Sequence, residues 1–310
     1  MKVVAIGAGK WGTNILNTLH ETGNLAGIVE LDESQHTTLQ EKYDVPVAKT
    51  IRSLVPDSFQ AVTIATPAPT HLGVGLEAIA LGKHAFIEKP ITLSAADAEE
   101  LVKAADQAGV TLMTNHLLLY QPAIEFLGKS IREGLIGDLR SIHVTRANLG
   151  RARDVENVLW SLGVHDVAVV LDLVQDQPQD VTAVGDAFLN AGIEDDTHLH
   201  ITFENGVKAH IHNSWLWPVL DRRTIVIGSK GMLWYDELNQ TVTLHKKSIN
   251  ASLQNVNDGE EVVFEGAAKP LTLSLEHFID CATNGKTPRS DGASARTVIG
   301  ILEDASRSLK

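Results

Sequence analysis

The feature that most limits what this chain can become is a glycine-spaced turn near its start. Lys2–Gly7 is a short apolar run of the kind that makes a strand buried on both faces. Gly7-Ala8-Gly9-Lys10-Trp11-Gly12 follows it as G-x-G-x-x-G, and Trp11–Thr22 then carries Ile15, Leu16 and Leu19 at helical spacing. The glycine pattern alone is weak, but between a strand and a helix it specifies a dinucleotide-binding βαβ turn. Gly7 permits the tight turn, Gly9 lets the backbone approach a pyrophosphate, and Gly12 lets the helix pack against the strand. Lys10 and Trp11 lie inside the turn and count as cofactor contacts. The helix N-terminus offers N–H groups and a favourable dipole to the anion.

An acidic residue is expected where the second strand ends, to bind the ribose hydroxyls. Glu30 follows Gly27-Ile28-Val29, about 18 residues past Gly12 against the roughly 20 of the fingerprint. A carboxylate there repels a 2′-phosphate, and the next residue, Leu31, supplies no cation for one. The expectation is NAD in preference to NADP. Asp32 is the competing carboxylate if the strand runs two residues further.

The remainder of the first third alternates strand-like and helical stretches. Leu25–Leu31, Ala61–Ala65, His84–Ile87 and Val110–Thr114 read as strands; Ser34–Tyr43, Leu72–Leu81 and Ser94–Ala108 read as helices. That alternation predicts an α/β Rossmann domain over 1–115. Residues 116–310 read as an α+β domain on a mostly antiparallel open sheet. Pro122–Glu133 and Asp166–Leu173 are helical. Leu139–Leu149, Val181–Phe188, Thr197–Phe203, Val207–Leu216, Arg223–Gly228 and Gly231–Tyr235 are strands, and helices near Leu273–Thr283 and Ser294–Leu309 close the chain.

Composition narrows the partners. The 310 residues carry 26 Lys+Arg against 39 Asp+Glu, a formal charge of −13 with no basic stripe, so no nucleic-acid partner is expected. Only one cysteine, Cys281, is present. An internal disulfide is thereby excluded, which suits a reducing cytoplasm. No apolar stretch is long enough for a membrane helix, and the N-terminal run is too short and glycine-broken for a signal peptide.

Glu88-Lys89-Pro90 follows the His84–Ile87 strand, at the sheet edge where open parallel sheets bind ligands. His165, in Trp160-Ser161-Leu162-Gly163-Val164-His165-Asp166, opens a helix, and imidazole titrates in the range a hydroxyl's general base needs. These segments, with Gly7–Gly12, Ala65-Thr66-Pro67 followed by His71, and the β-rich second half, resemble the Gfo/Idh/MocA oxidoreductase family over essentially the whole chain. The resemblance implies hydride transfer between a sugar-like alcohol and a nicotinamide cofactor. Lys89 would then polarise the substrate oxygen and His165 would serve as acid/base. Thr66, Pro67, His71, Glu88, Lys89 and Asn115 join the turn residues and Glu30 as cofactor contacts.

His116–Ala123, Asn148–Asn157 and Ser214-Trp215-Leu216 are similar to runs in the UDP-N-acetylglucosamine 3-dehydrogenase-like branch, which acts on nucleotide sugars. That resemblance puts Tyr120, Arg153, Asn157, Trp160, Ser161 and His165 near the substrate. Ser161 departs from the family, which often has Asp four residues before the His. Asp166 or Asp154 is then the substitute acid. The alternatives are a catalytically weak NAD-binding regulator or a reductase of a non-sugar carbonyl.

His198-Leu199-His200 and His210-Ile211-His212 invite a metal reading. With Asn205-Gly206 as a two-residue hairpin loop, Glu204 pairs with Val207 and the two His pairs fall on opposite faces, so no metal site is expected unless the register slips by one. No nucleophile elbow is present, and Cys281 has no evident His partner. The exposed face of the second sheet is expected to be covered by self-association, as a homodimer or homotetramer.

Overall fold

All four residues of the first strand are buried apolar side chains, as a strand covered on both faces requires. The structure, a computed structural model, describes residues 1–309. The strands β1 (Val3–Ile6), β2 (Leu25–Val29), β3 (Val47–Ala48), β4 (Ala61–Ile64), β5 (His84–Ile87) and β6 (Leu112–Thr114) form a parallel sheet in the order β3-β2-β1-β4-β5-β6. Helices α1 (Gly12–Glu21), α2 (His36–Tyr43), α3 (His71–Ala80) and α4 (Ala95–Ala108) connect them. Strand order reverses between β1 and β4, and in such sheets ligands bind beyond the carboxyl ends of the strands at that reversal. The edge strand β3 was not expected; it is only two residues long and follows Pro46.

The remaining elements are α5 (Pro122–Arg132), β7 (Leu139–Leu149), α6 (Val164–Val174), β8 (Pro178–Asp186), β9 (Asp196–Phe203), β10 (Lys208–Ser214), β11 (Leu216–Gly228), β12 (Met232–Asp236), β13 (Thr241–Ile249), β14 (Asn255–Glu265), α7 (Pro270–Asn284) and α8 (Gly292–Ser308). The eight strands β7–β14 form one sheet in the order β14-β13-β12-β11-β7-β10-β9-β8, antiparallel except for the β7–β10 pair. Strands β13 and β14 were not expected. Val242 and Leu244 of β13 are buried, and cross-strand ion pairs, Lys246–Glu261 at 2.7 Å and Lys247–Glu260 at 2.8 Å, hold the more exposed remainder.

Two compact units result: Met1–Leu117 with Lys269–Ile299, and Leu118–Ala268 with the chain from Gly300 on. The expected division assigned all of 116–310 to the second domain. Helix α7 belongs instead with the first unit. Its Ser274 Oγ donates to Asn115 Oδ1 at 3.0 Å, and Phe278 packs on Phe86 with ring centroids 5.4 Å apart. The buried Leu275, Phe278 and Cys281 supply the apolar stripe for this packing.

The β9–β10 hairpin also differs from expectation. Lys208 pairs with Thr202 and His210 with His200, one residue off the assumed register. The loop spans three residues: Phe203 N–H donates to Val207 O, and Gly206 takes φ +84°. Asp176 Oδ2 accepts from the Asn205 N–H at 2.7 Å and fixes the loop from outside. This register sets buried Leu199 opposite Ile211 and Ile201 opposite Ala209. The assumed register would have faced apolar against His residues. Among the described residues, no helix is long and apolar enough to cross a membrane.

Candidate functional site

At the β1/β4 reversal lies a cavity of about 420 Å³ whose lining includes Gly7, Gly9, Glu30, Thr66 and Pro67. The glycines carry out the separate tasks their spacing implies. A Cβ on Gly12 would stand 2.1 Å from the Gly7 carbonyl oxygen, and one on Gly7, at φ +96°, would stand 2.8 Å from Ala65 O. A Cβ on Gly9 would meet nothing within 4 Å. Gly7 and Gly12 are needed by the fold itself, whereas Gly9 borders open space. An extended anion laid along the turn would fill that space, so the residues present fit a dinucleotide. Lys10 and Trp11 are exposed at the turn.

Glu30 is fixed on the cavity wall. Its Oε2 accepts from Ala8 N–H at 2.8 Å and its Oε1 from Asp32 N–H at 3.0 Å. Asp32 is engaged otherwise: its carboxylate accepts from Ser34 N–H and Gln35 Nε2, and it is not on the cavity wall. Gln35, Lys49, Thr50 and Ile51 also line the cavity. Sequence reasoning missed Lys49, Thr50 and Ile51 because they follow the unrecognised β3, and Gln35 because it lies in the turn before α2. Lys49 is a cation on this wall, and its Nζ lies 2.6 Å from Glu33 Oε1, which raises its pKa.

The end of β5 is tied to the glycine turn. Glu88 is buried, and its Oε1 accepts from Trp11 Nε1 at 2.5 Å and from Asn115 Nδ2 at 2.6 Å. Burial pushes the Glu88 carboxyl up, and these two donors oppose that shift. Trp11, Glu88, Asn115 and Ser274 thus form one chain of hydrogen bonds. Lys89 follows, half-buried, with its N–H donating to Glu88 Oε2 at 3.3 Å. His71 is buried between two carbonyls, Nδ1 2.8 Å from Pro90 O and Nε2 2.9 Å from Thr66 O. Burial lowers its pKa, so a neutral ring donates to one of them at a time while bridging the ends of β4 and β5. His71 clamps these ends and does not line the cavity. His116 is fully buried, and neither ring nitrogen has a hydrogen-bond partner among the described residues. Burial, with the Lys89 charge adding to it, lowers its pKa to about 3.

In the second unit, Leu159–Gly163 forms a wide π-type turn that runs into α6. Such turns recur at functional sites. It carries the buried Ser161 and the half-buried Trp160, and His165 is the second residue of α6. The next residue, Asp166, is buried. Its Oδ1 accepts from Arg146 Nε at 2.8 Å and its Oδ2 from Asn213 Nδ2 at 2.7 Å. Arg146 also forks onto both oxygens of Glu237, at 3.1 and 2.8 Å. Burial works against the guanidinium charge, and the two carboxylates outweigh it. A Cβ on Gly163 would stand 2.6 Å from Asn213 Oδ1, so α6 approaches β10 as closely as glycine allows. These ties fix the rotation of α6 and with it the direction in which His165 leaves the helix. They also engage both oxygens of the buried Asp166 carboxylate.

The other expected substrate residues have definite partners. Asn157 Oδ1 accepts from Trp160 N–H at 3.1 Å, and Asn157 Nδ2 donates to Glu194 at 2.6 Å. Trp160 Nε1 donates to Ser306 Oγ at 3.0 Å. Arg153 is exposed, 3.9 Å from Glu156; Asp154 is exposed; Tyr120 is buried. In the first unit, Cys281 does have a histidine neighbour, one helical turn away: His277 Nε2 lies 3.4 Å from its sulfur. That nitrogen also accepts from Arg289 N–H at 3.1 Å, and burial pushes the thiol up, so the pair does not make a thiolate nucleophile.

Residues 1–116 match the family model described as the Gfo/Idh/MocA oxidoreductase family, NAD-binding Rossmann fold, and residues 125–234 match the model for the C-terminal domain of the same family. The chain belongs to the Gfo/Idh/MocA oxidoreductase family. UDP-N-acetylglucosamine 3-dehydrogenase of Acidithiobacillus ferrooxidans is 25% identical over 302 residues, covering 96% of this chain and 94% of that protein. 1,5-Anhydro-D-fructose reductase of Ensifer adhaerens is 28% identical over 255 residues, covering 78% of this chain and 75% of that protein. The solved structure of the Acidithiobacillus enzyme superposes with a TM-score of 0.90 at 24% identity, covering 100% of this chain and 97% of that one. As a Gfo/Idh/MocA protein the chain is an oxidoreductase with an NAD-binding Rossmann domain, and its named relatives act on several different sugars.

Proposed function

We propose that this Gfo/Idh/MocA protein is an NAD-dependent dehydrogenase that oxidises a hydroxyl-bearing carbon of a nucleotide sugar of the UDP-N-acetylhexosamine kind. The observation that carries the cofactor half is the Glu30 carboxylate, held by two backbone N–H groups on the wall of the cavity that also contains Gly9. A fixed carboxylate suits ribose hydroxyls and opposes a 2′-phosphate. Lys49, the one cation on that wall among the described residues, is paired with Glu33. The nucleotide-sugar half is supported by end-to-end similarity to the Acidithiobacillus dehydrogenase.

NAD, when bound, supplies the hydride acceptor. The glycine turn and the α1 N-terminus would hold its pyrophosphate and Glu30 its adenosine ribose. Lys89 is proposed to donate a hydrogen bond to the substrate oxygen and favour the developing alkoxide. His165 is proposed to take the hydroxyl proton. Tyr120, Arg153, Asn157 and Trp160 are the proposed sugar and diphosphate contacts; an Arg fork suits a diphosphate. Exposed apolar residues on β11 and β14, Val219, Leu220 and Val262, support self-association as a homodimer or homotetramer.

A specific observation favours a second reading, that of a weakly catalytic NAD-binding protein. Ser161 brings no charge to steady an imidazolium, and Asp166 is committed to Arg146 and Asn213. Steady-state NADH formation with a panel of UDP-sugars and free sugars separates the two. Saturable turnover with a UDP-sugar, weaker with the free sugar, is expected. NAD binding with no turnover on any of them would establish the second reading.

A further inference from the structure

Five histidines share one face of the second unit's sheet. Cross-strand pairing sets His210 opposite His200 on β9 and His143 on β7, and it sets His212 opposite His198. The residues between them, Leu199, Ala209 and Ile211, are buried, so strand alternation turns all five imidazoles to the other side. Asp196 stands two residues before His198 and shares that face. None of these residues belongs to the cofactor cavity or to the proposed substrate contacts, and only the observed hairpin register brings them together.

We propose that Asp196, His198 and His212 form a binding site for a divalent transition metal of the zinc type. His212 Nε2 lies 3.0 Å and His198 Nε2 3.8 Å from Asp196 Oδ1, and all three donor atoms fall within 4.8 Å of one another. Zinc with bonds of about 2.0–2.1 Å in tetrahedral geometry holds its donors roughly 3.3 Å apart. The two distances to the carboxylate bracket that value, and the third lies within reach of side-chain rotation. The two rings now stack in parallel, with centroids 4.2 Å apart and planes 5° apart. His198, half exposed, has room to turn its lone pair toward a shared ion. Ligation requires neutral imidazole. An ordinary imidazole is mostly neutral at pH 7. Two imidazoles and a carboxylate suit zinc, nickel or cobalt and leave coordination positions open for water. The adjacent pair lies outside the site: His200 Nδ1 and His210 Nδ1 are 2.7 Å apart, one donating to the other.

The test is equilibrium dialysis of the untagged, EDTA-stripped full chain against zinc chloride. One zinc per chain is expected, with a Kd on the order of micromolar. His198→Ala and His212→Ala should each weaken it at least about tenfold, as losing one of three ligands requires. His200→Ala should leave it unchanged. Circular dichroism and NAD affinity verify that each variant is folded. Zinc uptake by the wild type no greater than by the His198→Ala/His212→Ala double variant would overturn the proposal. So would zinc lost from His200→Ala but retained by the double variant.

Discussion

Gly9 and Gly12 stand three residues apart in one turn, yet their replacement by Ala should fail in different ways. At Gly12 the new Cβ would be 2.1 Å from a backbone carbonyl oxygen that cannot move without opening the β1–α1 turn. Overpacking of this kind costs about 1–3 kcal/mol or more, and both the stability of the first unit and NAD affinity should fall. At Gly9 the backbone is not in the positive-φ region and the Cβ meets nothing within 4 Å, so stability should stay within about 0.5 kcal/mol of wild type. The methyl would occupy the space assigned to the pyrophosphate. The same overpacking of about 1–3 kcal/mol, now felt only by the ligand, weakens NAD roughly 5- to 150-fold. Urea unfolding and fluorescence titration with NAD read the two quantities separately. Wild-type NAD affinity in Gly9→Ala, or wild-type stability in Gly12→Ala, would refute the division of labour.

Further expectations concern charge. His116 should make the fold acid-sensitive. Its folded pKa of about 3 lies below the ordinary 6.5, so its contribution is complete above pH 6.5 and is lost as pH falls toward 3. At about 1.4 kcal/mol per unit, moving from pH 7 to 5 removes roughly 2 kcal/mol; urea midpoints should fall less in His116→Leu. Arg146→Met leaves the buried Asp166 without its cation and Glu237 with only Arg222, 3.6 Å away, and should cost about 3–5 kcal/mol by denaturation. Glu30→Ser should shift the NADP-to-NAD ratio of kcat/KM upward by about tenfold, the effect of about 1.4 kcal/mol of relieved repulsion. His165→Ala should lower kcat about 10²- to 10⁴-fold with NAD affinity retained, measured by turnover and titration.

What the sequence made legible was whatever a single residue type decides locally. A turn needing backbone freedom at Gly7 and close approach at Gly12 announces itself, as do the end of β2 at Glu30 and the end of β5 at Glu88-Lys89-Pro90. The β7 strand, Leu139–Leu149, was bounded correctly by its alternation. Features set by distant partners stayed hidden. The hairpin register depends on Asp176 reaching the Asn205 N–H, and α7 joins the first unit because of what Phe278 and Ser274 meet. Strands β13 and β14 are stitched by Lys–Glu pairs, which in one dimension look like a solvated loop. The Arg146–Asp166–Glu237 network draws on β7, α6 and the end of β12, and nothing local in any of them predicts the others.

The claim on which the account rests is direct hydride transfer from a sugar carbon to NAD. A UDP-N-acetylhexosamine carrying deuterium on its ring carbons, incubated with the protein and NAD, tests it by mass spectrometry of the nicotinamide product. The account predicts NADH one deuterium heavier, formed in step with the oxidised sugar. Formation of oxidised sugar alongside unlabelled NADH, or recovery of both reactants unchanged, would contradict it.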